Sequence, residues 1–334
     1  MSSRYDEYAQ FDRPRRRTRP RTKDRPSHDD AVDGRVLTID RGRYTVLLAG
    51  PDDTDDTDTA VTAMKARTLG RKAVVVGDGV RVVGDVSGDT GTLSRIVAVH
   101  QRSTVLRRTA DDDDPYERVL VANADQLVVV IALADPPPRT GLIDRCLVAA
   151  YDAGLEPLLC LTKDDLADPD ELLAAYRPLG VAALSTHRGS DLALLRERLA
   201  GRTSVLVGHS GVGKSTLVNA LVPDQVRSTS HVNAVTGRGR HTSSSAAALA
   251  LPGGGWIIDT PGIRSFGLAH VDPATLIAAF TDLAAATATC PRGCTHAAGE
   301  PECGLDEAVA AGRVDAERVT SYRRVLASRE TSPA

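Results

Sequence analysis

Residues 208–215 read Gly-His-Ser-Gly-Val-Gly-Lys-Ser, with Thr216 next, and this stretch decides the fold. It matches G-x-x-x-x-G-K-[ST] in full. It follows the apolar run Ser204–Val207 and opens the amphipathic run Lys214–Val222. Strand, glycine-rich loop and helix in that order make a phosphate cradle. Glycines let the loop wrap phosphates without Cβ clashes. Backbone N–H groups at the helix start then turn positive potential toward the anion. Gly208, His209, Ser210, Gly211, Val212, Gly213, Lys214, Ser215 and Thr216 are therefore assigned to the nucleotide. Lys214 is expected to reach the β- and γ-phosphates, and Ser215 to place its hydroxyl on Mg²⁺.

Downstream, Asp259-Thr-Pro-Gly262 follows the apolar strand Trp256–Ile258. An Asp at a strand end after a P-loop suits the Mg²⁺ shell, and Gly262 would give its N–H to the γ-phosphate. The Gly/Arg/Ser-rich segment Ser228–Ser245 lies between the two motifs and reads as a switch loop, with Thr242 as its Mg²⁺ ligand.

Upstream, Thr162-Lys-Asp-Asp165 follows the strand Leu158–Leu161 and matches [NT]-K-x-D. The Asp165 carboxylate can accept from N1–H and N2–H₂ of guanine, a pair of donors that adenine lacks. Such charged hydrogen bonds are worth roughly 1.5–3 kcal/mol each, enough to choose the base. The Lys163 stem would lie along the ring, and Ser185-Thr186 would form the second base-contacting loop. Thr162, Lys163, Asp165, Ser185 and Thr186 complete the predicted GTP/GDP site with Asp259 and Gly262. The order is unusual, because base recognition precedes the phosphate loop. A sheet can still form, since permutation moves only the termini. The second switch then feeds directly into the C-terminal residues.

The 334 residues allow two or three domains. No run of 18 apolar residues occurs, and the first 30 residues lack a signal-peptide core, so a cytoplasmic, non-membrane chain is expected. The net charge of −3 marks no global nucleic-acid affinity. Charge is instead blocked: basic at 13–25, acidic at 51–58 and 111–114. Residues 1–34 read as a disordered basic tail, either merely solvated or a phosphate-binding arm.

From 35 to 110, short β-rich runs (Arg35–Asp40, Tyr44–Leu48, Ala73–Val76, Val80–Val83, Ser94–Val99) predict a small barrel. It is either an RNA-binding OB-fold or a packing barrel. From 116 to 270, strands and helices alternate, which predicts an α/β sheet covered on both faces. Leu127–Leu133 reads as a buried parallel strand. Residues 271–334 read as mostly helical, beginning at the cap Asp272-Pro273. Cys146 and Cys160 sit in apolar surroundings and read as packing residues. Cys290, Cys294, His296 and Cys303 fall within 14 residues and suit one structural Zn²⁺ in a closed tetrahedral site.

Together, these features resemble the ribosome small-subunit-dependent GTPases of the RsgA/YjeQ family over about residues 34–325. The resemblance rests on Asn123-Ala-Asp-Gln126, Ile143-Asp-Arg145, Thr162–Asp165, Gly208–Thr216, Gly237–Thr242, Asp259–Arg264 and the Cys/His cluster. It implies an OB domain contacting rRNA, a circularly permuted GTPase domain and a zinc domain. It also implies hydrolysis stimulated by the small ribosomal subunit at a late assembly step, by a monomer. The first two cysteines stand one residue closer than in the family's pattern.

Many small GTPases place a water-orienting Gln after the DxxG glycine; here that residue is Ile263, which predicts slow unaided hydrolysis. His241, beside Thr242, is the candidate that positions water, a role similar to what the family suggests. A plain loop residue or an RNA contact is the alternative. Two rival functions stay open on sequence grounds: an RNA-binding module with GTP only as ligand, and an ATP-dependent enzyme such as a kinase.

Overall fold

The computed structural model describes residues 28–49, 59–70, 74–108, 118–223, 246–260, 268 and 271–328. The N-terminal strands are β1 (Val32–Asp40), β2 (Arg43–Leu48), β3 (Ala60–Lys65), β4 (Gly79–Gly84) and β5 (Ser94–Val99). They run in the order β1-β2-β3-β5-β4, and β4 closes the barrel back onto β1. β1 serves both neighbours because a bulge between Val36 and Thr38 bends it. Alternate residues point inward, so Val36, Val46, Val61, Val80, Val82 and Ile96 fill the barrel.

Two predicted details differ. The apolar run expected as a strand over 73–76 is no named strand; Val74, Val75 and Val76 are buried, and Val76 makes one isolated bridge to Val121. The fifth barrel strand is instead β3, whose Ala-containing alternation is a weaker β signal.

A short antiparallel pair, β6 (Val105–Arg108) and β7 (Arg118–Ala122), leads into the α/β portion. There β8 (Gln126–Ala132), β9 (Glu156–Thr162), β10 (Ala182–Thr186), β11 (Thr203–Val207), β12 (Ala247–Ala250) and β13 (Trp256–Asp259) line up as β10-β9-β8-β11-β13-β12. All pairs are parallel except β12 with β13. β8 is buried along its whole length because both its faces are covered. Leu127, Val129 and Ile131 enter one core, while Val128, Val130 and Ala132 enter the other. Helices α1 (Thr140–Asp152) and α2 (Asp170–Tyr176) follow β8 and β9. Helices α3 (Ala193–Leu199) and α4 (Lys214–Leu221) supply the second core with Leu195, Leu199, Leu217 and Leu221. The second core thus draws its helical layer from α3 together with the P-loop helix α4.

Barrel and α/β portion share one hydrogen-bonded sheet, because Thr38 of β1 pairs with Ala247 of β12. The seam is reinforced by the run 123–126. Asn123 Nδ2 donates to Gly77 O at 2.9 Å, and its Oδ1 accepts from Ser103 N at 2.8 Å. Asp125 accepts from Thr203 N at 2.6 Å. Arg35 donates to Thr203 Oγ1 at 2.8 Å and lies 5.6 Å over the Trp256 ring.

The C-terminal helices are α5 (Pro273–Ala278), α6 (Thr281–Ala286), α7 (Gly304–Ala310) and α8 (Ala316–Ser328). As expected, Asp272 caps α5 by accepting from Ala274 N, with Pro at the first turn. They dock on α1 through an edge-to-face chain, Tyr151–Phe280 at 4.8 Å and Phe280–Tyr322 at 5.5 Å. Arg324 pairs with Asp144 at 3.0 Å and lies 4.8 Å over the Tyr176 ring. Arg145 donates to Ser328 O at 2.8 Å. Burial pushes the Asp144 carboxyl up, and Arg324 pulls it back toward the charged form. Arg324→Ala leaves a carboxylate that is 3% exposed without its ion-pair partner. The expected loss is about 2 kcal/mol in urea unfolding, discounted because the arginine itself is partly solvated. An unchanged unfolding midpoint would remove this pair from the joint.

Candidate active site

Parallel register carries four loop-bearing strand ends to one edge of the sheet. Thr162 stands opposite Ala132, Thr186 opposite Thr162, Val207 opposite Val129, and Asp259 opposite Leu206. From β8 the chain moves outward through β9 to β10. From its neighbour β11 it moves the other way, to β13 and β12. The crevice between β8 and β11 is therefore the switch point, where open α/β sheets bind ligands.

The phosphate loop leaves β11 there. A Cβ on Gly208 would stand 2.5 Å from Val130 O, so only glycine passes β8 this closely. Gly211 and Gly213 hold φ of +84° and +90°, which L side chains resist. Val212 is buried, while Ser210, Gly211, Ser215 and Thr216 are exposed and His209 and Lys214 half-buried. Lys214 Nζ donates to the Asp259 carboxylate, with side-chain exposures of 13% and 17%. Thr260 Oγ1 donates to Leu206 O at 2.7 Å and fixes the start of the loop after β13. Lysine and carboxylate thus meet at one corner, with Ser215 the next residue after Lys214; hydroxyl and carboxylate oxygens suit a hard cation such as Mg²⁺.

The predicted base-recognition loop lies beside it. Thr162 is buried, and its hydroxyl donates to Val212 O at 2.6 Å, with Ile131 O at 3.2 Å. Its side chain therefore joins the loops instead of opening toward solvent. Lys163, at φ +62°, donates Nζ to Asp135 O. Asp165 and Ser185 are exposed, and Thr186 is buried with its hydroxyl 2.5 Å from Ser190 Oγ. Sequence reasoning passed over Asp164 and His187, which meet at 2.7 Å. The signal was present only as position, since Asp164 is the unspecified residue of the motif and His187 directly follows Thr186. His241, Thr242, Gly262, Ile263 and the segment 228–245 lie outside the described residues, as does most of the basic tail.

Cys290, Cys294, His296 and Cys303 converge, with all four ligand atoms within 4.8 Å of one another. His296 Nδ1 stands 3.6, 3.4 and 3.9 Å from the sulfurs of Cys290, Cys294 and Cys303. These spacings bracket the roughly 3.5 Å nitrogen–sulfur edge of a tetrahedral Zn²⁺ site. Gly304 N donates to Cys290 Sγ at 3.1 Å, and Arg323 Nε holds His296 O at 3.1 Å. Burial lowers the His296 pKa and favours the neutral imidazole that a metal needs. Cys146 and Cys160 are fully buried, with thiols pushed up to about 12 by burial, and take no part in the cluster.

The RsgA GTPase family matches residues 99–269. The protein named small ribosomal subunit biogenesis GTPase RsgA of Pseudomonas fluorescens (strain SBW25) is 44% identical over 242 residues, 70% of this chain and 69% of that one. This chain belongs to the RsgA GTPase family. The RsgA relative of Pseudomonas savastanoi pv. phaseolicola is 43% identical over 265 residues, 77% of this chain and 75% of that one. The crystal structure of YjeQ from Thermotoga maritima aligns with a TM-score of 0.66 at 27% identity, covering 90% of this chain and 99% of that one. YloQ, described as a circularly permuted GTPase, aligns with a TM-score of 0.64 at 25% identity, covering 92% of this chain and 98% of that one. As an RsgA GTPase, the chain is a GTP hydrolase.

Thr162→Val removes one hydroxyl and leaves the Val212 carbonyl without that donor. GDP affinity, read by fluorescence titration, is expected to fall about tenfold, the equivalent of 1–1.5 kcal/mol. Unaltered affinity would mean that the bond does not position the loops.

Proposed function

We propose that this chain binds the small ribosomal subunit and couples GTP hydrolysis to its late maturation, with the subunit stimulating turnover. The observation carrying the nucleotide half is the Thr162–Val212 bond, which fixes a guanine-type loop beside a phosphate loop across the sheet's switch point. The ribosomal half is supported by the printed names of relatives spanning over two thirds of the chain. The proposed organisation is a basic tail over 1–34, an OB-fold RNA-binding domain over 35–110, a permuted GTPase domain over 116–270 and a helical zinc domain over 271–334.

In this reading Asp165 accepts from guanine, flanked by Lys163 and the Ser185-Thr186 loop. Lys214 exchanges its Asp259 partner for the β- and γ-phosphates. Ser215, Thr242 and Asp259 would hold Mg²⁺, which would offset the negative charge of the phosphates. Gly262 N–H caps the γ-phosphate. Ile263 cannot orient water, so His241 does so when the subunit is bound. The barrel supplies the rRNA contact: Arg43, Met64 and Arg95 stand in one exposed transverse row across β2, β3 and β5. Interleaved cations and an apolar side chain suit phosphates and unstacked bases. The protein acts in the cytoplasm as a monomer; among the described residues no helix is long and apolar enough to cross a membrane.

Phosphate release should rise with purified small subunits and stay at the unaided level with large subunits or none. His241→Ala should abolish the stimulated fraction and spare GTP binding. Equal rates in all three conditions would overturn the ribosomal reading, and full stimulation of the variant would take His241 out of the mechanism.

The Cys290/Cys294/His296/Cys303 cluster holds one structural Zn²⁺ in this reading. Elemental analysis should give one zinc per chain, lost in Cys303→Ser. Chelation should lower the unfolding temperature by about 5 °C while GDP still binds. A metal-free preparation of undiminished stability would refute the structural role.

A further inference from the structure

Two loops are proposed to read guanine, one following β9 and one following β10. The two strands are parallel and in register through Thr162 and Thr186. Beyond those residues the ladder thins to one contact, Asp164 N to Thr186 O at 3.4 Å. Ser185 is held within that ladder opposite Leu161, but the exposed Asp165 stands three residues past its end, so backbone pairing alone leaves Asp165 loosely defined relative to Ser185.

A side-chain link spans this gap. His187 Nδ1–H donates to Asp164 Oδ1 at 2.7 Å, the carboxylate being the acceptor. The histidine end is itself tethered. Ser190 Oγ donates to His187 O at 2.9 Å, accepts from His187 N at 3.2 Å and lies 2.5 Å from Thr186 Oγ1. The aspartate end is tethered by its neighbours: Lys163 reaches Asp135 O, and Leu166 N donates to Lys163 O at 3.0 Å. Each end of the link is therefore anchored to the loop that presents a proposed base contact, Asp165 on one side and Ser185-Thr186 on the other.

We infer that the Asp164–His187 pair is a positioning clamp that sets the spacing of the two guanine-reading loops. This inference rests on the guanine reading of Asp165. The pair touches neither the phosphate loop nor Lys214, so it acts on base affinity and base discrimination and leaves the chemical step alone. With side-chain exposures of 43% and 21%, it is a half-solvated link of modest strength.

The test measures kcat, KM for GTP and KM for ITP, together with GDP affinity, in the full-length protein. ITP lacks the exocyclic amine, so it offers Asp165 one donor where GTP offers two. His187→Ala should raise KM for GTP about three- to fivefold, leave kcat unchanged and narrow the GTP-over-ITP preference. His187→Asn, whose amide can replace the Nδ1 donor, should restore most of the affinity. Asp164→Ala should match His187→Ala, and the double variant should be no worse than either. Additive losses, a fall in kcat or an unchanged nucleotide preference would each overturn the clamp. Asp165→Ala is the control for the underlying reading. Loss of GTP preference there, with His187→Ala silent, sinks the clamp alone. Retained preference in Asp165→Ala sinks the guanine reading with it.

Discussion

A single buried hydroxyl ties together two loops at one edge of the sheet. Thr162 ends β9, and its side chain bonds the carbonyl of Val212 at the heart of the phosphate loop. The two loops belong to strands separated by β8, so nothing in the ladder joins them directly. Without this bond, the relative position of the two loops would rest on sheet geometry. With it, the spacing of the two loops is also held by a buried hydrogen bond. Gly208 serves the same end by another route, since the absent Cβ lets the loop press against Val130.

Permutation leaves this arrangement intact because its contacts depend on sheet order, not chain order. Residues from the segment before the P-loop and from the P-loop itself meet as they would if the order were reversed. What changes is the exit. β13 carries Asp259, and the chain then proceeds to the capped helix α5 and the joint at Phe280. That joint gathers Tyr151, Tyr176, Phe280 and Tyr322 in a chain with only 3 Phe, 7 Tyr and 1 Trp.

Much of the architecture was legible in sequence because its signals are local. β8 announces itself as an unbroken apolar run, since both faces are buried. The P-loop and the Cys/His cluster are contiguous motifs, so their ligands converge by short-range geometry. Other features are invisible to such reading. β12 is Ala-Ala-Leu-Ala, a sequence with little β preference, and becomes a strand because β13 and β1 pair with it on both sides. The Asp144–Arg324 pair spans 180 positions, and the Asp164–His187 link depends on register between two loops. Motif matching named Thr162 as a nucleotide residue; only the folded chain shows its buried hydroxyl donating to Val212 O and Ile131 O.

The Thr38–Ala247 pairing has a further meaning for how the chain can be divided. An open parallel sheet ends in a strand whose outer N–H and C=O groups would otherwise be left for any passing backbone. Here the barrel's first strand occupies that border, so the two portions are woven as one fabric. A fragment cut between them would carry a raw selvedge along β12 and tend to recruit other chains there. The barrel therefore shelters one stretch of its neighbour's border, at Ala247.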